Sequence, residues 1–200
     1  MSRPLILVGA GEMARIALEY FRHDSDYEVI AFSAEREHIV DHQVEGLPVL
    51  AYEDLPSLHP PSDVALFVAI PATGLNRLRT RFYEDGKRKG YRFASYVSSR
   101  AFVWRNARIG ENTFIFENNV VQPFVTIGDN CILWSGNHIG HRTVVHDNVF
   151  SASHAVVSGF CDIGQNSFIG GNATFNDGEK GAPERVIGPG AHVGADTGAG

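Results

Sequence analysis

The sequence predicts a two-part fold: a small α/β domain over residues 1–98, then a three-sided parallel β-solenoid over residues 99–200. Three observations carry that reading. From residue 103 to residue 175 every sixth residue is aliphatic or aromatic, with Ser151 the exception. Before residue 100 the chain instead alternates short apolar runs with helical patterns. Charge falls across the same point: residues 1–100 hold 26 of the 40 charged residues and residues 101–200 hold 14.

In the first part, residues 5–8 (Leu-Ile-Leu-Val) form an apolar run suited to a strand buried on both faces. Gly9-Ala10-Gly11 follows. A helix is expected over 12–21, with Met13, Ile16, Ala17 and Tyr20 on one face. Residues 28–32 and 64–70 read as further strands, 75–89 as a charged helix stopped by Gly90, and 92–97 as a last strand. Alternating strands and helices suggest a parallel, doubly wound sheet, whose ligand crevice lies beyond the carboxyl ends of its strands. About 100 residues leave room for roughly four or five strands. Gly9-Ala10-Gly11-Glu12-Met13-Ala14 is a partial dinucleotide fingerprint, with Ala14 in place of the third glycine. Gly9 and Gly11 would let backbone approach a phosphate at the helix N-terminus. Glu12 would favour the helix dipole or meet a sugar hydroxyl. Glu35, just past the second strand, is placed to bond a ribose hydroxyl; its alternative is a solvated charge beside Arg36 and Glu37.

The second part rests on the hexads. Val103, Ile109, Ile115, Val121, Ile127, Leu133, Ile139, Val145, Ser151, Val157, Ile163, Ile169 and Phe175 mark the period, and a compact residue such as Ala107, Thr113 or Cys131 sits four residues after each. A helix would repeat at three and four residues and a strand at two. Six fits one flat side of a prism: a short strand, then a corner. Three hexads make a coil of 18 residues, and about four coils fit between 103 and 176. No coil covers its own top and bottom, so coils must stack. Cys131 and Cys161 both fall at compact inward positions, which predicts buried free thiols and no disulfide. Residues 176–184 break the texture as a polar loop, and the pattern resumes at Ile187-Gly188 and Val193-Gly194, with Gly200 ending in mid-pattern.

No run of 18 apolar residues occurs, and Met1-Ser2-Arg3-Pro4 leads directly into the first strand. Neither a membrane span nor a signal peptide is expected. A net charge of −6 argues against nucleic acid as a partner. Two unpaired thiols fit a cytoplasmic location.

Across Ser95-Tyr96-Val97-Ser98-Ser99 into the hexads, and across Trp134-Ser135-Gly136-Asn137-His138-Ile139-Gly140-His141, the chain resembles a known group. The hexads resemble the left-handed parallel β-helix of the hexapeptide acyltransferases. The order of parts resembles the sugar acyltransferases of the sialic acid O-acetyltransferase and bacillosamine N-acetyltransferase type. The resemblance implies a Rossmann-like N-terminal domain that holds a nucleotide-linked sugar, and a homotrimer with acetyl-CoA between neighbouring prisms. It also implies a general base at His141, two residues after the apolar Ile139.

Histidine suits that task because it can accept a proton near neutral pH as an amine or hydroxyl attacks the thioester. By the same resemblance His138 and Asn137 shape the substrate pocket, and Phe150, His154, Gly170, Gly171 and Gly188 are candidates for the coenzyme. His154 shares an 18-residue column with Asn118 and Gly136. One departure stands out: an acid commonly follows the family histidine, whereas Arg142 follows here. The orienting group is then expected to be Asp147, Glu117 or a backbone carbonyl. The reaction implied is acetyl transfer to the amine of a nucleotide-linked amino sugar, with transfer to a sugar hydroxyl as the alternative. A zinc-dependent γ-type carbonic anhydrase would use His141 and His146, but Arg105 stands near where its third ligand belongs. A binding protein without catalysis is the remaining reading.

Overall fold

The first strand, β1 (Arg3–Val8), forms where the sequence is apolar on both faces: Leu5, Ile6 and Leu7 are all fully buried. In the computed structural model, which describes residues 3–194, the chain divides into two units. One comprises Met1–Thr73 with Leu78–Tyr96; the other comprises Gly74–Arg77 with Val97–Gly200.

In the first unit β1 is followed by α1 (Glu12–His23), β2 (Tyr27–Ala34), β3 (Gln43–Val44), β4 (Leu47–Ala51), α2 (Leu55–Leu58), β5 (Ala65–Val68), α3 (Arg77–Arg88) and β6 (Arg92–Phe93). The sheet order is β3-β4-β2-β1-β5-β6. All neighbours are parallel except β3 and β4. α1 buries Met13, Ala14, Ala17, Leu18 and Phe21. The sheet thus has six strands rather than four or five: the hairpin strands β3 and β4 add to those read from the sequence, and β3 is only two residues long. The hairpin of β3 and β4 turns at Glu45 and Gly46, both at positive φ, as tight hairpins require. The strand expected over 92–97 breaks into Arg92–Phe93 and Tyr96–Val97.

In the second unit each hexad from 102 to 175 contributes a two-residue strand whose second residue is the periodic apolar one. Each pairs in parallel with the strand 18 residues on, as Val120↔His138 and Val121↔Ile139. Three sheets result. One runs through Phe102–Val103, Val120–Val121, His138–Ile139, Val156–Val157, Thr174–Phe175 and His192–Val193. The next holds Arg108–Ile109, Thr126–Ile127, Val144–Val145 and Asp162–Ile163. The third includes Phe114–Ile115, Ile132–Leu133, Phe150–Ser151, Phe168–Ile169 and Val186–Ile187. The periodic residues from Ile115 to Phe175 and the compact residues from Thr113 to Ala173 are buried and fill the interior. Cys131 and Cys161 are buried free thiols there, and burial pushes the Cys161 thiol up.

Corners follow a rule of their own. From Ile109 to Ile169 the third residue after each periodic position has positive φ: Asn112, Asn118, Phe124, Asn130, Gly136, Arg142, Asn148, His154, Phe160, Asn166 and Asn172. Asparagine tolerates that left-handed conformation better than most residues, which explains its recurrence. The asparagines also form a ladder along one corner: Asn112 Nδ2 donates to Asn130 Oδ1 (2.6 Å), and Asn130 Nδ2 to Asn148 Oδ1 (2.7 Å).

Residues 176–184 are not an excursion. Lys180 bridges Asp162 in parallel, Gly178 N–H donates to Gly159 O (2.9 Å) and Glu184 N–H to Gln165 O (2.8 Å), so the 18-residue register is kept. The polar stretch is part of a further coil, in which a single bridge replaces a two-residue strand. Residues 195–200, assigned to the solenoid from the sequence, lie outside the described residues. Among the described residues no helix is long and apolar enough to cross a membrane.

Candidate functional site

His141 sits in the corner after the strand His138–Ile139, one residue before the left-handed Arg142. The corner position turns it out of the packed interior, and it is exposed. Its ring is nevertheless held from two sides. From the coil before, Gln122 Oε1 accepts the His141 backbone N–H (2.9 Å) and lies 3.3 Å from Nδ1. From the coil after, Phe160 meets the imidazole edge to face, 5.0 Å between centroids. Gly159 leaves room for the ring: a Cβ there would lie 2.6 Å from His141 Cε1.

The expected orienting groups are engaged elsewhere. Asp147 Oδ1 accepts Asp129 N–H (2.8 Å), and Glu117 Oε1 accepts the Ser135 hydroxyl (2.6 Å). Gln122, which the sequence reading passed over, is the side chain at the imidazole. The Arg142 guanidinium stacks over Phe124, 4.6 Å from the centroid.

Asn137 proves to be an interior residue, 1 % exposed. Its Nδ2 donates to Trp134 O, while its Oδ1 accepts Ala155 N–H (2.8 Å) and the Ser151 hydroxyl (3.2 Å). It braces the coil and is not presented to a substrate on this chain. His138 faces outward on the strand, between Val120 and Val156. His154 is an exposed corner residue at positive φ, its ring packed over Gly136, where a Cβ would lie 2.5 Å from Nδ1. His146 pairs through Nε2 with Asp162 Oδ1 (2.8 Å), both about half exposed. Among the described residues no three His, Cys, Asp or Glu side chains come together as metal ligands.

The coenzyme candidates lie on another edge of the prism. Phe150 stacks on Phe168, 5.2 Å apart and nearly parallel. The following corner column runs Phe116, Trp134, Ala152, Gly170, Gly188, so bulky stacked rings give way to bare backbone. Gly170 is demanded by packing, since a Cβ would meet Pro189 N at 2.5 Å. Gly171 would place one at ordinary contact with Ser153 O, 3.4 Å, and at Gly188 nothing lies within 4 Å. The absence of a side chain at Gly188 is therefore not dictated by the coil itself. Within one prism the face carrying His138 separates this edge from the His141 corner.

In the first unit Gly9 is required by the fold: its φ is +121°, and a Cβ would lie 2.6 Å from Ala69 O. Gly11 is different. Its φ is −88°, which any residue adopts, and nothing lies within 4 Å of its Cβ position. It caps α1, with Glu12 exposed in the first turn beside it. Glu35 is partly exposed and paired: both its oxygens meet the Arg81 guanidinium (2.8 and 3.0 Å). That fork holds the Glu35 carboxyl below its ordinary range. At the carboxyl end of β2, the buried Ser33 hydroxyl has no hydrogen-bond partner among the described residues, and Gly9 N–H donates to Ser33 O (2.7 Å). Sequence reasoning overlooked Ser33, which carries no motif.

With this geometry in view, the likenesses to known proteins are informative. The family model of the bacterial transferase hexapeptide (six repeats) matches residues 106–141, a stretch that ends on His141. No curated protein matches the sequence. Among solved structures, the acetyltransferase domain of PglB from Neisseria gonorrhoeae superposes with a TM-score of 0.86 at 23 % identity, covering 98 % of this chain and 94 % of that one. A variant of perosamine N-acetyltransferase from Caulobacter crescentus, in complex with CoA and GDP-perosamine, gives 0.85 at 23 % identity, with 96 % and 89 % covered. WeeI from Acinetobacter baumannii gives 0.60 at 18 %, with 98 % of each chain covered. At these identities the likeness is one of fold. The hexapeptide repeat and the three parallel stacks fit a left-handed β-helix.

Proposed function

We propose that the chain is an acetyl-CoA-dependent N-acetyltransferase acting on a nucleotide-linked amino sugar. The observation that carries the reading is His141: an exposed imidazole on a prism corner, held by Gln122 on one side and seated against Gly159 and Phe160 on the other. In the transfer the sugar amine attacks the thioester carbonyl, the new N–C bond forms and the C–S bond breaks. His141 takes the amine proton and passes it on to the departing sulfur, which leaves as the CoA thiol. No covalent enzyme intermediate is required. Two variants of the perosamine enzyme, histidine to asparagine and histidine to alanine, were captured with CoA and GDP-perosamine, which supports giving a histidine the central part.

The bare corner at Gly188 suits the pantetheine arm of acetyl-CoA, whose amides can bond to exposed backbone. The PglB domain was also solved with acetyl coenzyme A. Because the base and the coenzyme edge are apart on one prism, a homotrimer in which the edge of one copy faces the corner of the next completes the site. The first unit, read as Rossmann-like, takes the nucleotide. Gly11 lets the phosphates approach the N-terminus of α1, where backbone N–H groups and the helix dipole favour an anion. Transfer to a sugar hydroxyl is less well served, because a hydroxyl is a poorer nucleophile and the imidazole is held by an uncharged amide.

The test is a panel. The protein is incubated with acetyl-CoA and a series of nucleotide-linked amino and hydroxy sugars, and thiol release is followed. Release with at least one amino sugar, and not with its hydroxy counterpart, is expected. Release with hydroxy sugars alone would reassign the acceptor, and no release across the panel would count against the transfer.

A further inference from the structure

We propose that Gln122 is the positioning residue that fixes which ring nitrogen of His141 is free to act, an inference that rests on His141 being the base of the transfer above. The argument is one of donors and acceptors. A backbone N–H only donates, so the Gln122 atom that the His141 N–H meets at 2.9 Å is the amide oxygen. That contact settles the orientation of the amide. The same oxygen lies 3.3 Å from His141 Nδ1, and an amide oxygen only accepts. Nδ1 therefore carries the proton, and Nε2 keeps the lone pair. The free histidine side chain prefers the opposite tautomer, so the protein has to impose this one.

The two contacts divide the labour. The shorter backbone bond anchors the amide, and the longer one orients the ring. Gln122 is placed for this because it follows the strand Val120–Val121, which pairs directly with His138–Ile139. Gly159 and Phe160 in the next coil close the other side, so the ring is confined between consecutive turns of one corner. The charged groups nearby are Arg142, stacked on Phe124, and Asp177, whose Oδ1 accepts Gly159 N–H (2.7 Å). The group on Nδ1 is itself uncharged. It sets direction without stabilising the imidazolium as a carboxylate would.

The experiment uses the full chain with ¹⁵N-labelled histidine. The His141 ring signals are assigned by their loss in His141→Ala, and the tautomer is read from the nitrogen shifts above the imidazole titration. The wild-type chain should show Nδ1–H. Gln122→Leu should move the population toward Nε2–H and lower kcat about 10- to 100-fold, with KM for acetyl-CoA little changed. Gln122→Glu should keep Nδ1–H, restore most of the rate and shift the acid limb of the pH profile upward by about one unit or more. A wild-type ring already in the Nε2–H form, or a tautomer indifferent to Gln122→Leu, would overturn the proposal. The two readings separate cleanly. If the tautomer follows Gln122 while His141→Ala keeps its rate, the base assignment fails and the positioning stands. If His141→Ala is inactive and the tautomer ignores Gln122, only the positioning fails.

Discussion

Gly159 and His141 occupy one space: the ring of the histidine lies where a side chain at 159 would begin, 2.6 Å from the Cβ position. The glycine is 18 residues, one coil, beyond the histidine, in the same corner column. Its small size is set by the neighbouring imidazole, and no positive φ demands it.

Gly159→Ala should therefore act on activity more than on folding. The obstacle is a side chain on an exposed corner, so the ring will swing away at little cost to the coil. A displacement of about 1 Å in a reacting group can lower a rate about 100-fold. Thiol release should fall at least about 10-fold while the melting temperature stays within a few degrees. Unchanged turnover would show that the observed ring position is not the working one.

Gly170→Ala and Gly188→Ala make a contrasting pair. At Gly170 a methyl would meet backbone of the next coil, 2.5 Å from Pro189 N, and overpacking of this kind costs about 1–3 kcal/mol. At Gly188 nothing lies within 4 Å, so stability should change by less than about 0.5 kcal/mol. If the coenzyme lies along this edge, Gly188→Ala should raise KM for acetyl-CoA without shifting the melting curve. Denaturant unfolding and initial-rate kinetics on the two variants check both halves.

The asparagine ladder is open to a direct test. Asn130 combines a φ of +58° with hydrogen bonds to Asn112 and Asn148. Asn130→Val should lose about 2–4 kcal/mol, from the left-handed penalty for a β-branched residue and the broken ladder. Asn130→Gly removes the penalty but not the ladder loss, so it should be the milder change. Equal losses would mean that backbone strain contributes nothing.

Glu35 gives a pH dependence in the first unit. Its folded pKa is depressed by the Arg81 fork, so its contribution is present above the unfolded value and is lost as pH falls through the folded one. The pair is partly exposed, with side-chain exposures of 52 % for Arg81 and 25 % for Glu35, and is worth at most about 1 kcal/mol. Glu35→Gln should be less stable than the parent at neutral pH. The difference should shrink below about pH 4, as measured by urea unfolding. A difference that stays constant with pH would remove the ion pair as its cause.

The solenoid was legible because one residue in six must fill a narrow interior, and that demand is written directly into the order of residues. Six-residue spacing put every strand from Phe102–Val103 to Thr174–Phe175 in place. The left-handed corner residues were equally readable in hindsight, since Asn112, Asn118, Asn130, Asn148, Asn166 and Asn172 all stand three places after a periodic residue. Gln122 was not, because the group that orients His141 belongs to another coil, 19 residues away. Subtracting one coil length from 141 leads to Pro123 and so to its neighbour.

In the first unit the strand Gln43–Val44 is too brief to carry a period. The Arg81 partner of Glu35 lies 46 residues distant, on α3. Asn137 was visible as an inward position from its spacing, and the side-chain bonds to Ser151 and Ala155 explain why a polar residue is tolerated there.

The most direct measurement is the rate of CoA release by the wild-type chain and by His141→Ala, with acetyl-CoA and an accepted nucleotide-linked amino sugar both saturating. The account predicts a loss of at least about 100-fold with an unaltered melting temperature. A variant that turns over within a few-fold of the parent would contradict it.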